Sequence, residues 1–135
     1  MSARLEHANI TVRRPDRTAE TMRDLFGWRI RWSGPSIGGG RSVHVGGEDN
    51  YIALYSPKTP PGEGGSSYEA AGGLNHIGVV VSDFEATERR VLAAGFETYS
   101  HSDYEPGRRF YFRDGDGIEF EVVSYDIVAT SAPRP

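Results

Sequence analysis

The sequence contains no cysteine. That removes disulfides, thiolate nucleophiles and sulfur-ligated metals, and leaves imidazole and carboxylate as the side chains able to hold a metal. No long apolar run occurs either, so neither a membrane span nor a secretory signal is expected, and the expected compartment is the cytoplasm. Positive charge is not in excess: 15 Lys and Arg against 19 Asp and Glu give a net charge of −4, which offers nothing to the phosphates of a nucleic acid. Arg13, Arg14 and Arg17 cluster near one loop and read as a solvated face. What remains, 135 residues with 37% hydrophobic and 25% charged, is the composition of one ordinary globular domain.

Within that chain one pattern occurs twice. LEHANITV from Leu5 aligns with LNHIGVVV from Leu74, so that His7 and His76 take equivalent places. Gly27-Trp28 and Gly95-Phe96 recur at the same spacing to within one residue, and YIALY from Tyr51 superposes on EFEVV from Glu119 with Ala53 where Glu121 stands. Landmarks that agree this closely read as two copies of one unit. A copy of about 65 residues is too small to bury a good core by itself, so the two are expected to pack as one domain. Two imidazoles and one carboxylate on symmetry-related strands also match the needs of a divalent metal with open coordination positions.

Periodicity gives the elements of each copy. From Leu5 to Val12 the residues alternate, with Ala8, Ile10 and Val12 on one face and His7, Asn9 and Thr11 on the other, as in a half-buried strand. Pro15-Asp16 is read as breaking that strand. TAETMRDLF then sets Ala19, Met22, Leu25 and Phe26 on one helical stripe, stopped by Gly27. Strands are expected over 28–33, 41–45 and 51–55, separated by a flexible SGPSIGGG and the turn GGEDN.

The stretch 57–73, rich in proline, glycine and serine, is the expected linker. The second copy repeats the order: a strand over 74–81, an N-cap at Asp83, a helix over 84–94 with Ala86, Val91 and Leu92 inward, and strands over 97–100 and 109–113. In the last strand Ile118, Phe120 and Val122 face the core while Glu119, Glu121 and Val123 face away. A hairpin loop of five residues, 114–118, would set Tyr111 opposite Glu121 on one face, and a loop of four would not. The tail over 126–135 is expected to be mobile.

A repeated βαβββ unit, with a histidine opening each copy and Glu121 in the last strand, resembles the vicinal oxygen chelate superfamily. That group includes glyoxalase I, fosfomycin-resistance proteins, extradiol dioxygenases and bleomycin-resistance proteins. The resemblance covers roughly residues 4 to 125. It implies an α+β fold in which two βαβββ modules, at about 4–56 and 74–125, form a cupped mixed sheet around a cleft. It also implies a homodimer, in which the first-strand histidine of one subunit often lies beside the ligands of its partner.

The superfamily's four ligand positions fall on His7, Ala53, His76 and Glu121. Ala53 argues against glyoxalase I chemistry, because a methyl group cannot coordinate. The remaining two histidines and one carboxylate imply a metal, Fe(II) or Mn(II) by preference and Zn(II) or Ni(II) otherwise, with positions free for a small chelating substrate and dioxygen. FYFRDGDGIEFE resembles the extradiol segment, in which a tyrosine precedes the glutamate ligand at the spacing of Tyr111 and Glu121. Fosfomycin enzymes share that tyrosine. His101 lies near the place of an extradiol histidine, one residue further from Tyr111 than usual, and becomes the candidate proton shuttle. The usual second acid/base histidine has no counterpart over 60–67.

Other residues complete the reading. Asn9 and Arg109 are expected to face substrate, with Arg109 able to hold an anion, while a solvent-facing strand-end arginine is the plain alternative. His44 reads as a structural or cleft-lining histidine. Some of Trp28, Trp32, Tyr51, Tyr55, Tyr99 and Tyr104 are expected to line an aromatic pocket. The first expectation is therefore a metal-dependent enzyme resembling extradiol dioxygenases, acting on a small aromatic substrate. A glyoxalase- or fosfomycin-type lyase or transferase, or a metal-free protein that sequesters a planar drug, is the alternative.

Overall fold

The computed structural model describes residues 3–63, 68–104 and 107–125, so the tail expected to be mobile lies outside the described residues. The chain divides into two compact units, Met1–Glu63 and Gly64–Pro135. The first runs β1 (His7–Thr11), α1 (Pro15–Phe26), β2 (Arg29–Pro35), a 3₁₀ turn (Ile37–Gly39), β3 (Arg41–Gly46) and β4 (Tyr51–Ser56). The second runs β5 (Ile77–Val80), α2 (Phe84–Ala93), β6 (Thr98–Tyr104), β7 (Gly107–Arg113) and β8 (Glu119–Ser124). Each forms a four-stranded mixed sheet, ordered β1-β4-β3-β2 and β5-β8-β7-β6. In each, the first strand joins the last in parallel and the other neighbours are antiparallel. The fold is α+β, with the two βαβββ modules that the repeat implies.

The helices close one face of each sheet. On α1 the buried residues are Pro15, Thr18, Ala19, Met22 and Leu25, an apolar stripe at helical period. Gly27, at φ 73°, ends the helix with its N–H on the Arg23 carbonyl at 2.9 Å, in the left-handed conformation that glycine takes without strain. β1 ends at Thr11, ahead of Pro15-Asp16. Pro15 is the first residue of the helix, where a missing N–H costs nothing.

In the second unit Asp83 caps α2 as its sequence position suggested, accepting the Ala86 N–H at 3.0 Å. The buried face of α2 is Phe84, Thr87 and Val91. Leu92, expected inward, is 51% exposed, because the stripe that starts at Phe84 leaves it on the flank. Phe110 and Phe112 of β7 and Phe120 and Val122 of β8 are almost wholly buried. Phe84 meets Phe110 edge to face at 5.3 Å and Phe112 stacks on Phe120 at 5.0 Å.

Strand ends differ from the sequence reading at several places, among them β2, β5 and β6. β2 continues to Pro35, and the segment beyond it closes as a turn through Ser36 N–H to Gly40 O at 2.8 Å, so SGPSIGGG is not a loose loop. β5 begins only at Ile77, which places His76 just ahead of the ladder. β6 extends from Thr98 to Tyr104 and carries an irregularity between Tyr99 and Ser102, with Ser100 at φ 55°. The β7–β8 hairpin has the five-residue loop: Asp114 accepts the N–H groups of Asp116 at 2.9 Å and Ile118 at 3.0 Å, and Tyr111 pairs with Glu121.

The aromatic cluster beneath β7 and β8 is the core of the second unit. Phe110→Ala should therefore lower unfolding free energy by about 3–5 kcal/mol, measured by urea denaturation of the variant beside wild type.

Candidate functional site

Strand alternation separates the second unit's sheet into two faces. Phe110, Phe112, Phe120 and Val122 point to the core, so Arg109, Tyr111, Glu119 and Glu121 are carried on the opposite face. Gly78 pairs with Glu121 across the parallel β5–β8 ladder, and a Cβ at Gly78 would meet nothing within 4 Å, so the space beside the carboxylate is open. His76, one strand period before Gly78, reaches that space. Its Nε2 lies 3.0 Å from Glu121 Oε1.

Each of these side chains is held by a further contact. Asn75 Oδ1 lies 2.9 Å from His76 Nδ1, and Arg109 Nη1 donates to Glu121 Oε2 at 2.6 Å. The Tyr111 ring meets His76 edge to face at 5.7 Å. Burial, and then the charge of Glu121, raise the Tyr111 pKa, so its hydroxyl stays protonated at neutral pH. His76 and Glu121 are partly covered, with 31% and 14% of their side chains exposed. Four candidates from the sequence, His76, Tyr111, Glu121 and Arg109, thus meet in one unit, with the Arg109 guanidinium on Glu121.

Beside them stands a second carboxylate that the sequence reading passed over as a strand residue. Glu119 is 6% exposed and accepts hydrogen bonds from the hydroxyls of Tyr68 and Tyr99, the latter at 2.6 Å. Burial alone would raise its pKa, but the two phenols prevail and hold it below the ordinary value. Tyr99 responds oppositely: burial and donation to Glu119 push it up to about 12. It also stacks on Tyr111 at 6.2 Å. The alternation in EFE already put Glu119 on the face of Glu121, but only folding brings Tyr68 and Tyr99 to it.

His101 is not brought to this group. Its Nε2 lies 2.6 Å from Glu88 of α2, and its ring stacks on Phe110, so it occupies the helix-covered side of the sheet. The physical reason is the bulge. Tyr99 is opposite Tyr111 and Ser102 opposite Arg109, so two residues on β6 stand where one would keep the alternation. The extra residue between His101 and Tyr111 is taken up here and turns the histidine away from the tyrosine.

In the first unit four rings lie in a row across the sheet. Tyr51 stacks on His7 at 4.9 Å and on His44 at 4.5 Å, and Trp32 lies 5.0 Å from His44. The Arg31 guanidinium sits 4.7 Å from the Tyr51 ring centre. His7 Nδ1 lies 2.7 Å from Glu6 Oε1. His44 pairs with Ala53 as Tyr111 pairs with Glu121, which makes it the first unit's counterpart of the tyrosine. Burial, followed by His7 and Arg31, lowers its pKa and keeps it neutral. Asn9 shares the His7 face, exposed and opposite Ala53.

The donors in the second unit suit a metal. Two ligands about 2.1 Å from one ion at a right angle lie about 3.0 Å apart, which is the separation of His76 Nε2 and Glu121 Oε1. An acceptor on Nδ1 leaves the lone pair on Nε2, the form in which imidazole binds a cation. Among the described residues no set of three or more His, Asp or Glu side chains gathers around one point within either unit.

A family model described as the Glyoxalase/Bleomycin resistance protein/Dioxygenase superfamily matches residues 4–122. No curated protein matches the sequence. Among solved structures, SMU.1112c is 19% identical with a TM-score of 0.76, covering 91% of this chain and 99% of its own. The fosfomycin resistance protein FosX from Mesorhizobium loti is 22% identical with a TM-score of 0.66, covering 91% and 92%. FosX from Listeria monocytogenes, solved with Mn(II) and sulfate, is 18% identical with a TM-score of 0.67, covering 92% and 93%.

The Glu119 cluster has a spectroscopic consequence. Its folded-state pKa being raised, Tyr99 adds stability below about pH 10 that is lost as pH rises toward 12. An ultraviolet titration should show a tyrosine ionising near 12 that Tyr99→Phe removes. Glu119→Gln should lower that value without abolishing the shift, because burial is the larger cause.

Proposed function

The chain belongs to the glyoxalase/bleomycin resistance protein/dioxygenase superfamily, and on that premise we propose that it is a metal-dependent enzyme acting on a small substrate with two neighbouring oxygens. His7, His76 and Glu121 are the proposed ligands. The single observation that carries the reading is the His76–Glu121 pair, 3.0 Å apart and flanked by open space at Gly78. Mn(II) or Fe(II) is the preferred ion, with Zn(II) or Ni(II) as substitutes; the Mn(II)-bound FosX of the same fold favours manganese. A homodimer in the cytoplasm is the proposed working form. No helix among the described residues is long and apolar enough to cross a membrane.

Bound there, the ion would supply Lewis acidity and a template for the substrate's oxygens. The chain's own groups do the rest. Arg109 holds Glu121 by Oε2 and so presents Oε1. Tyr111, kept protonated, donates a hydrogen bond to the oxygen on which negative charge develops. In the first unit Asn9 offers a polar group on the His7 face.

The displacement of His101 weighs on the type of reaction. Ring-opening dioxygenation, the first expectation from the sequence, needs a proton shuttle beside the tyrosine, and His101 is instead held by Glu88 on the other side of the sheet. Non-oxidative Lewis-acid chemistry of the lyase or transferase kind asks less of such a residue and is the preferred reading. Dioxygenation stays as the second, on the pairing of Tyr111 with Glu121.

Metal analysis of protein purified without chelator, followed by oxygen uptake with catechols and by turnover of epoxides and α-ketoaldehyde hemithioacetals without oxygen, tests these readings. Absence of bound metal together with tight binding of a planar drug would overturn the enzyme assignment in favour of sequestration. His76→Ala and Glu121→Gln should each lower Mn(II) affinity by at least tenfold by calorimetry. Tyr111→Phe should leave metal content unchanged and lower kcat by about 10²-fold, the scale of a lost oxyanion donor.

A further inference from the structure

The two histidines proposed as ligands share a feature that the repeat alone did not require. In each unit the side chain immediately before the histidine turns back onto its Nδ1: Glu6 Oε1 on His7 at 2.7 Å, and Asn75 Oδ1 on His76 at 2.9 Å. Successive side chains on a regular strand point to opposite faces and do not meet in this way. Here they can, because His7 is the first residue of β1 and His76 stands one residue ahead of β5.

We propose that Glu6 and Asn75 are positioning residues that fix the tautomer and ring orientation of His7 and His76, leaving Nε2 of each as the metal donor. The inference rests on the metal reading and extends it to residues outside the ligand set. A carboxylate oxygen can only accept, so Glu6 requires the hydrogen on His7 Nδ1. At His76 two acceptors face the ring, Asn75 Oδ1 at Nδ1 and Glu121 Oε1 3.0 Å from Nε2, so without a cation Glu121 draws the hydrogen to Nε2, and with a cation held between Nε2 and Glu121 the Asn75 oxygen takes it on Nδ1. Neutral histidine in water favours the opposite form, with the hydrogen on Nε2, so these contacts act against the intrinsic preference. Removing such a partner typically weakens metal binding by about 10–100-fold.

His101 provides an internal contrast. There the carboxylate of Glu88 engages Nε2 rather than Nδ1, and the ring lies among the helix-facing residues. His7 and His76 are therefore each met at Nδ1 by the side chain that precedes them, whereas His101 is met at Nε2 by a residue of the helix. Glu6 and Asn75 also differ in charge. The carboxylate makes His7 the more electron-rich donor, while the neutral amide holds His76 beside a ligand that is already anionic.

Long-range ¹H–¹⁵N spectra of the metal-free, full-length protein at mildly alkaline pH read the tautomers directly. The expected result is Nδ1–H at His7 and Nε2–H at His101 in the metal-free protein, and Nδ1–H at His76 once diamagnetic Zn(II) is added. Glu6→Ala should move His7 alone toward Nε2–H, and Glu6→Ala and Asn75→Ala should each weaken Mn(II) binding by about 10–100-fold in calorimetry. Glu6→Gln, which keeps an acceptor oxygen, should restore the His7 tautomer and most of the affinity. A contact that merely braces the strand ends would lower stability without moving the tautomers.

Nε2–H at His7 in the metal-free wild type, or at His76 in the Zn(II)-loaded wild type, overturns this inference and leaves the metal reading intact. Alanine variants that leave Mn(II) affinity unchanged overturn it as well. A wild-type protein with the expected tautomers that takes up no Mn(II) overturns the metal reading, and with it the role given to Glu6 and Asn75.

Discussion

The register of β8 is the constraint on which the second unit depends. Phe120 and Val122 are buried on one side of that strand, and Glu119 and Glu121 stand on the other. A slip of one residue would drive both carboxylates into the aromatic core and turn the phenylalanine to the opposite face. The cost of an unpaired buried carboxylate is several kcal/mol, far more than a slipped ladder could recover. Phe112 on Phe120 locks the same alignment from β7, and the Asp114 turn sets the loop that makes it possible. Tyr111 opposite Glu121 follows from this register.

Electrostatics then divide the two acids on that face. Glu121 is met by a permanent cation, Arg109, on one oxygen and by the imidazole of His76 on the other. Glu119 is met mainly by phenols, and it adds to the burial that raises the pKa of Tyr99. One carboxylate thus faces a guanidinium and an imidazole while its neighbour is enclosed by hydroxyl groups. Two like charges two residues apart on one strand face are tolerated because each has its own donors.

Comparison of the two units explains why one of them carries the proposed carboxylate ligand. The pairing frame is the same: Asn9 with Ala53 and His44 in the first, Gly78 with Glu121 and Tyr111 in the second. With alanine in place of the acid, the first unit has no anionic donor at the centre of its frame. A row of rings fills that face instead, with the Arg31 guanidinium on Tyr51 as its charge. The duplicated scaffold has diverged at the positions that decide chemistry while keeping those that decide pairing.

Alternation, helix stripes, caps and the internal repeat are local properties, so the sequence by itself determined the α+β class, the order of elements in both units and the face of Glu121. Those follow from periods of 2 and 3.6 residues, whereas the pairing of Glu121 with Tyr111 hung on a loop of five residues rather than four, which the fold decided. Only the tertiary structure decided which groups finally meet. The bulge in β6 turned His101 to Glu88, the helix register left Leu92 in solvent, and Pro15 became a helix start. The contacts of Tyr68 and Tyr99 with Glu119 join residues far apart in sequence, and those of Glu6 and Asn75 with their histidines depend on where a strand happens to begin. No periodic pattern encodes a single irregular residue or a contact across a sheet, because such features arise from packing many segments at once.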